Sequence, residues 1–386
     1  MKICILTPRF PFPENGGDVL RINNVARYLK TQSHYLILVS FTDRQPNMRQ
    51  AYQLYDQVIT IKHHKILAVL RAFFFMLIGR PLQCGYYHSA SFKQKLNDID
   101  KQEQPRLYIS HLLRMTPYLD NYHMRNKSII EMTDALSKTY LQSIHSSQIS
   151  IKRLIYMLEY RLIKKYEKQV IKRFPKSVLV SQNDVEYLTK DNPNSSVVCL
   201  TNGVYCSEHP MTTYNPNKIC FVGNMRTLQN QDAAIFFAEE VLPLILKTRS
   251  NAIFYIVGAE PSARIRQLTN DNHVVVTDFV DNVEDVISDA CLSVAPVRIA
   301  AGIQNKVLVA LGQRVPAVIS SLIAQAIPEL HDGTNCYIKD TPRDIAKTCL
   351  LLMNDATTRN NMAEAGYQMV KESYQWHNKL NGYEII

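Results

Sequence analysis

The sequence predicts an α/β protein made of two doubly wound domains in tandem. Three observations predict it. At 386 residues the chain is too long for one ordinary core. Short β-branched runs alternate with helical stretches along both halves, the pattern of parallel sheets. The alternation also restarts after the polar turn Thr201-Asn202-Gly203-Val204. The expected organisation is 1–205 for the first domain, 206–365 for the second and 366–386 for a tail.

In the first half, strands are expected at 2–7, 35–41, 57–61, 107–110, 128–132 and 177–181. Helices are expected at 18–29 and about 151–174, the first from the spacing of Val19, Leu20, Ile22, Val25, Ala26 and Leu29. Residues 210–217 read as a linker. In the second half the strands are 218–222, 253–257, 274–277, 292–295 and 315–319. The helices between them are 232–247, 262–269, 283–289 and 304–311. A single terminal helix is expected over 345–373, with Tyr374 and Trp376 docking the tail across the domain junction.

Composition is that of folded domains, 46% hydrophobic and 20% charged, with no repeat of solenoid length. The eight cysteines are scattered and form no CxxC pair, so they read as reduced, mostly buried thiols of a cytoplasmic protein. The apolar start is too short for an export signal and runs at once into Pro8, Pro11 and Pro13.

Charge is unevenly spread. Residues 1–200 carry 29 Lys/Arg against 15 Asp/Glu, and residues 201–386 carry 15 against 19. The basic half is densest over 152–176, with Lys164, Lys165, Lys168, Lys172 and Arg173 at helical spacing. No nucleic-acid module accompanies it, so the expectation is peripheral contact with the anionic inner face of the plasma membrane; a solvated helix face stays the alternative. Residues 66–78 are apolar apart from Arg71 but fall short of the roughly 20 residues that span a bilayer. They are a buried helix or a helix lying in the membrane interface, and Phe73-Phe74-Phe75 favour the second.

Turns after strands hold the candidate chemistry. Gly16-Gly17 leads into the first helix, where bare backbone lets N–H groups approach an anion. A full GxGxxG is absent, which disfavours nicotinamide and flavin cofactors. Gly223, Asn224 and Arg226 repeat the arrangement in the second half. Arg298 and the run Gly302-Ile303-Gln304-Asn305-Lys306 then stand between a strand and a helix. Fixed cations and helix N–H groups there would stabilise a diphosphate leaving group.

Taken in order, these motifs resemble the GT-B fold glycosyltransferases of family 4, in particular bacterial sugar transferases of exopolysaccharide and cell-envelope clusters. The marks are Leu6-Thr7-Pro8-Arg9-Phe10-Pro11 with Gly16-Gly17-Asp18, Thr201-Asn202-Gly203-Val204, Phe221-Val222-Gly223-Asn224-Met225 followed by Asn230, Ile256-Val257-Gly258-Ala259, and Ala295-Pro296-Val297-Arg298 running into Gly302 to Leu308. The resemblance implies two Rossmann-like domains facing a central cleft, the first for the acceptor and the second for a nucleotide sugar. It implies retaining sugar transfer to a lipid-linked or growing surface glycan, with no cofactor beyond the donor substrate and no metal. Asp98-Ile99-Asp100 spells DxD but lies in a polar helical stretch, and reads as surface charge.

By position, Gly17 matches the loop near the donor phosphate, His111 a histidine that approaches the reacting sugar, and Lys306 a phosphate-proximal basic residue. Three departures stand out. Val309 occupies the place of the glutamate that binds the ribose, Ala301 that of a glutamate eight residues earlier, and Asn224 and Gln229 that of an Arg and a Lys. Losing a charged acceptor to the ribose would cost about 1.5–3 kcal/mol of donor binding. A non-catalytic scaffold or regulator of a glycan-assembly complex is therefore the alternative to an enzyme. A nucleotide-sugar epimerase is the third reading.

Overall fold

The computed structural model describes every residue except 15, 44, 47, 147–150, 194, 209–213, 270–271, 281, 300–303 and 386, and the side chains of 142, 145, 146, 151 and 152. It contains two compact units. One is Met1–Asn202 with Leu380–Ile386, the other Gly203–Lys379.

The first unit has seven strands: β1 (Lys2–Thr7), β2 (Tyr35–Thr42), β3 (Gln57–Lys62), β4 (Leu107–His111), β5 (Ser128–Thr133), β6 (Lys176–Leu179) and β7 (Val197–Cys199). They form one sheet in the order β3-β2-β1-β4-β5-β6-β7, parallel throughout. Helices cover both faces, so the central strands are continuous apolar runs: Ile3, Cys4, Ile5 and Leu6 are wholly buried. The strand order reverses between β1 and β4. The carboxyl ends of these two strands therefore flank a crevice, the usual ligand position of an open α/β sheet.

The second unit repeats the plan with β8 (Asn215–Val222), β9 (Ile253–Val257), β10 (Val274–Val276), β11 (Ala290–Ala295), β12 (Ala317–Ile319) and β13 (Tyr337–Ile338). The order is β10-β9-β8-β11-β12-β13, also parallel, and it reverses between β8 and β11.

The long helix Ile151–Arg173 braces the first unit with two buried carboxylates. Glu159 accepts the backbone N–H groups of Leu82 (2.9 Å) and Gln83 (3.3 Å), at the start of helix Leu82–Tyr86. Glu167 accepts from the Ser137 N–H (3.2 Å), in the first turn of helix Leu136–Ser146. Each supplies an acceptor and negative charge where a helix leaves N–H groups unpaired. The chain end closes on the same unit. The Lys176 ammonium donates to the carbonyls of Gly382, Tyr383 and Ile385 at 3.1, 2.8 and 2.9 Å, and Tyr383 is fully buried.

Several elements differ from expectation. The expected helix 232–247 is three pieces: Leu228–Phe236, a π turn over Phe237–Val241 and Leu242–Leu246. Pro243 sits at the start of the last piece and has no N–H for the ladder, so the register changes just before it. The expected helix 345–373 is two, Pro342–Asn354 and Ala356–Ser373, because the Asp355 carboxylate leaves the helix to accept the Thr358 N–H (3.0 Å). Strands β7 and β13 are too short to show a period in the sequence. Tyr374 and Trp376 lie in the second unit, where Tyr374 donates to Glu329 at 2.6 Å.

Candidate functional site

In the first unit the predicted residues gather at the β1/β4 strand ends. Gly16 has φ +113°, and a Cβ there would stand 2.9 Å from the Arg9 guanidinium, so glycine is required. A Cβ at Gly17, the first residue of helix Gly17–Thr31, would meet nothing within 4 Å. Arg9 pairs with Asp18 through both carboxylate oxygens. Burial pulls the Asp18 carboxyl upward, but Arg9 outweighs it and holds the group below its usual range.

His111 ends β4. It is buried, and among the described residues neither ring nitrogen has a hydrogen-bond partner. Burial lowers its pKa to about 3; the Asp18 charge opposes this, and Arg114, Arg21 and Arg9 add to it. The imidazole is therefore neutral at working pH, with one N–H to give and one lone pair to accept. Leu112 follows at φ +69° and Thr133, ending β5, has φ +68°. Non-glycine residues in this region are strained; Leu112 stands at the β4 end beside the crevice, and Thr133 at the end of the neighbouring β5.

Acid should expose the His111 environment as lost stability. In the unfolded chain the imidazole binds a proton near pH 6.5, in the folded protein only near 3. Its contribution is complete above pH 6.5 and falls by up to about 1.4 kcal/mol per pH unit below it. Glu167 runs the other way, since burial raises its folded pKa to about 7 from 4.5, which adds stability as pH falls through that window. Urea midpoints of wild type and His111→Asn at stepped pH isolate the first effect. The wild-type curve should drop more steeply below pH 6.5, and parallel curves would contradict it.

In the second unit the site is built around Lys306, on the first turn of helix Asn305–Gly312. Its ammonium donates to the Asn230 side-chain oxygen and lies 4.9 Å from the centre of the Phe221 ring. Asn230 in turn donates to the Asn224 carbonyl (2.9 Å), and Asn224 accepts the Arg226 N–H (2.9 Å). Gly223 makes this possible: a Cβ would come within 2.7 Å of the Asn230 side chain. Gly258, at φ +150°, lies so close that its Cβ would stand 1.8 Å from the Gly223 oxygen. Among the described residues Lys306 forms no ion pair. Burial lowers its pKa to about 8, so it holds a proton at neutral pH at a desolvation cost.

The other predicted cations are placed differently. Arg298 is engaged by Asp232 at 2.9 and 2.7 Å, with Glu240 at 3.8 Å, and its guanidinium lies over Phe236. Arg226 is 77% exposed and has Glu260 at 3.6 Å, a surface contact of little energetic weight. Gln304 is buried at the helix start and Asn305 is exposed. Val309 is half-buried and packs with apolar neighbours including Val257 and Ile287. Gly302 and Ile303 lie outside the described residues, as does Ala301. Asp98 and Asp100 are on helix Ala90–Glu103, where Asp100 accepts from the Tyr108 hydroxyl. Asn230 follows the Gly223 loop among the marks of the resemblance, but sequence reasoning gave it no role at the site; the fold sets it beside Gly223 and Lys306.

Residues 216–355 match the family described as Glycosyl transferases group 1. This stretch lies within the second unit, and its similarity is to the group 1 glycosyltransferases. Over the whole length, the chain is 18% identical to an uncharacterised 44.6 kDa protein in the cps region of Klebsiella pneumoniae, covering 97% of this chain and 96% of that one. Solved structures share the GT-B fold. A TarM mutant of S. aureus in complex with fondaparinux, alpha-GlcNAc-glycerol and UDP superposes with a TM-score of 0.64 at 11% identity, covering 99% of both chains. HepE of Anabaena in complex with UDP gives 0.62 at 11%, again over 99% of both. The lipopolysaccharide outer core galactosyltransferase WaaB gives 0.59 at 11%, over 99% of this chain and 98% of its own. In the second unit, Lys306 and the Gly223 loop occupy the β8/β11 switch point.

Proposed function

We propose that the chain is a retaining glycosyltransferase that moves a sugar from a nucleotide-diphosphate donor to a lipid-linked or growing glycan of the bacterial cell envelope. The observation that carries this reading is Lys306: a half-buried cation, at the strand-order switch of a group 1 domain, with no carboxylate of its own among the described residues. Such a charge is costly unless an anionic ligand meets it. A diphosphate does so, and its growing negative charge as the glycosidic bond breaks is stabilised by Lys306 and the adjacent helix start. Neutral His111 and the open Gly17 position give the first unit a hydrogen-bonding site for sugar hydroxyls. The UDP complexes of TarM and HepE make uridine diphosphate the first nucleotide to test, and the cps-region relative and WaaB point to an envelope glycan.

Calorimetry with uridine and guanosine diphosphates, alongside donor hydrolysis across a panel of nucleotide sugars, tests the reading. Binding with slow hydrolysis of one donor is expected. Silence with every donor and no nucleotide binding would defeat it. The second reading, a non-catalytic scaffold, is favoured by Val309, whose apolar packing leaves no carboxylate at the position expected to hold the ribose. That reading gains if Val309→Glu raises nucleotide affinity from near zero.

A further inference from the structure

We infer that the joint apolar face of helices Lys65–Leu77 and Ile151–Arg173 docks the first unit onto an anionic lipid bilayer. Helix Lys65–Leu77 buries only Ala68, Ala72 and Phe75. Ile66, Leu67, Leu70, Phe73, Phe74 and Leu77 are each more than half exposed. The early turns of Ile151–Arg173 extend this surface through exposed Leu154, Ile155 and Leu158. The two helices approach one another at a pocket of about 360 Å³, which the inward-facing Ala72 of the first and Ile155 of the second line together with Tyr86, Tyr140, Tyr156 and the buried Glu159.

Single exposed apolar side chains are ordinary, but a contiguous group of this kind marks a contact surface. Charge identifies the occupant. The 41 residues from Gln57 to Asn97 contain no Asp or Glu, and they carry Lys62, Lys65, Arg71, Arg80, Lys93 and Lys95. Asp43, outside that stretch, pairs with Lys65. Residues 135–158 also lack any acid, and Lys164, Lys165 and Lys172 follow on the second helix. A second copy of the chain would set this cationic rim against itself, which opposes a symmetric dimer. An anionic bilayer satisfies both features: the apolar side chains enter the acyl boundary while the lysines and arginines meet lipid phosphates. Aromatic Tyr86, Tyr140 and Tyr156 suit the headgroup level. No described helix is long and apolar enough to cross a membrane, so the contact is from one side.

The test is co-sedimentation of the full chain with vesicles of phosphatidylethanolamine and phosphatidylglycerol, against vesicles of phosphatidylcholine alone. Wild type should pellet with the anionic vesicles, less so as salt rises, and Phe73→Ser/Phe74→Ser should partition about tenfold more weakly. Both rings are exposed, so an unchanged melting temperature and unchanged nucleoside diphosphate binding would show that the variant is folded. Wild type that stays in solution with anionic vesicles overturns the inference. So does a folded variant that pellets as well as wild type, or a wild-type dimer that the variant dissolves. The readout is lipid binding alone and does not depend on sugar transfer.

Discussion

Lys306→Met is expected to lower kcat/KM for the preferred donor by about 10²–10³, the effect of removing one fixed charge from a developing anion. Nucleoside diphosphate affinity should fall with it, by about tenfold or more, since a charge-assisted hydrogen bond contributes about 1.5–3 kcal/mol. A pH series gives the same residue a second signature. Because burial brings the Lys306 pKa to about 8, wild-type affinity should decline above pH 8, by up to about tenfold per unit. The Met variant should show no such decline. Stability moves in the opposite sense. The unfolded lysine keeps its proton to about pH 10.5, the folded one only to about 8, so folding stability from this group rises between those values. The ligand-free Met variant should therefore melt no lower than wild type. Loss of function without loss of stability separates a ligand-binding cation from a structural one. A variant with wild-type affinity and a rate within about threefold would remove Lys306 from the donor role.

Arg21→Met should give the largest loss of stability in the first unit, about 3–5 kcal/mol. Arg21 and Glu131 are both completely buried, their guanidinium and carboxylate 3.3 Å apart. Arg21 also donates to the Thr201 carbonyl at 2.9 Å and to the Asn202 side chain at 3.4 Å. Methionine fills much of the volume but leaves the Glu131 charge without its partner and Thr201 without its donor. Tyr383 is buried nearby, and burial together with the Glu131 charge pushes its phenol well above the ordinary value, so the tail should loosen as well. Arg21→Met/Glu131→Leu should recover a large part of the loss, because removing both charges avoids the stranded carboxylate. A double-mutant cycle from urea unfolding measures this coupling. Additive losses would mean that the pair does not act as a unit.

Much of the architecture was legible. The alternation of apolar strands and amphipathic helices exposes a parallel sheet because both of its faces are covered, and 3–6 in β1, 36–39 in β2, 219–222 in β8 and 253–257 in β9 read as apolar runs for that reason. Gly16, Gly223 and Lys306 were also visible, since a turn between strand and helix leaves few residue types able to let an anion approach. What was not legible were the commitments between distant residues. Arg298 and Lys306 look equivalent along the chain, two cations near one Gly-led loop. Asp232, 66 positions before Arg298, engages that arginine through both oxygens, while Lys306 donates to the neutral Asn230 side chain and pairs with no carboxylate among the described residues. Similarly, 66–78 was readable as an apolar helix, but only packing decides that Phe75 faces inward and Phe73 and Phe74 outward.

The amino-acid sequence by itself determined the two α/β units, the strand-to-helix turns that carry the candidate chemistry and the basic character of the first half. These follow from periodicity, glycine and charge, which act over a few residues. Tertiary structure decided which site cation, among the described residues, is left without a carboxylate, how His111 comes to be buried with no partner among them for either nitrogen, and which apolar side chains meet water. Those outcomes depend on burial and on pairs far apart along the chain, where desolvation and Coulomb energy are set by neighbours that only the folded sheet brings together.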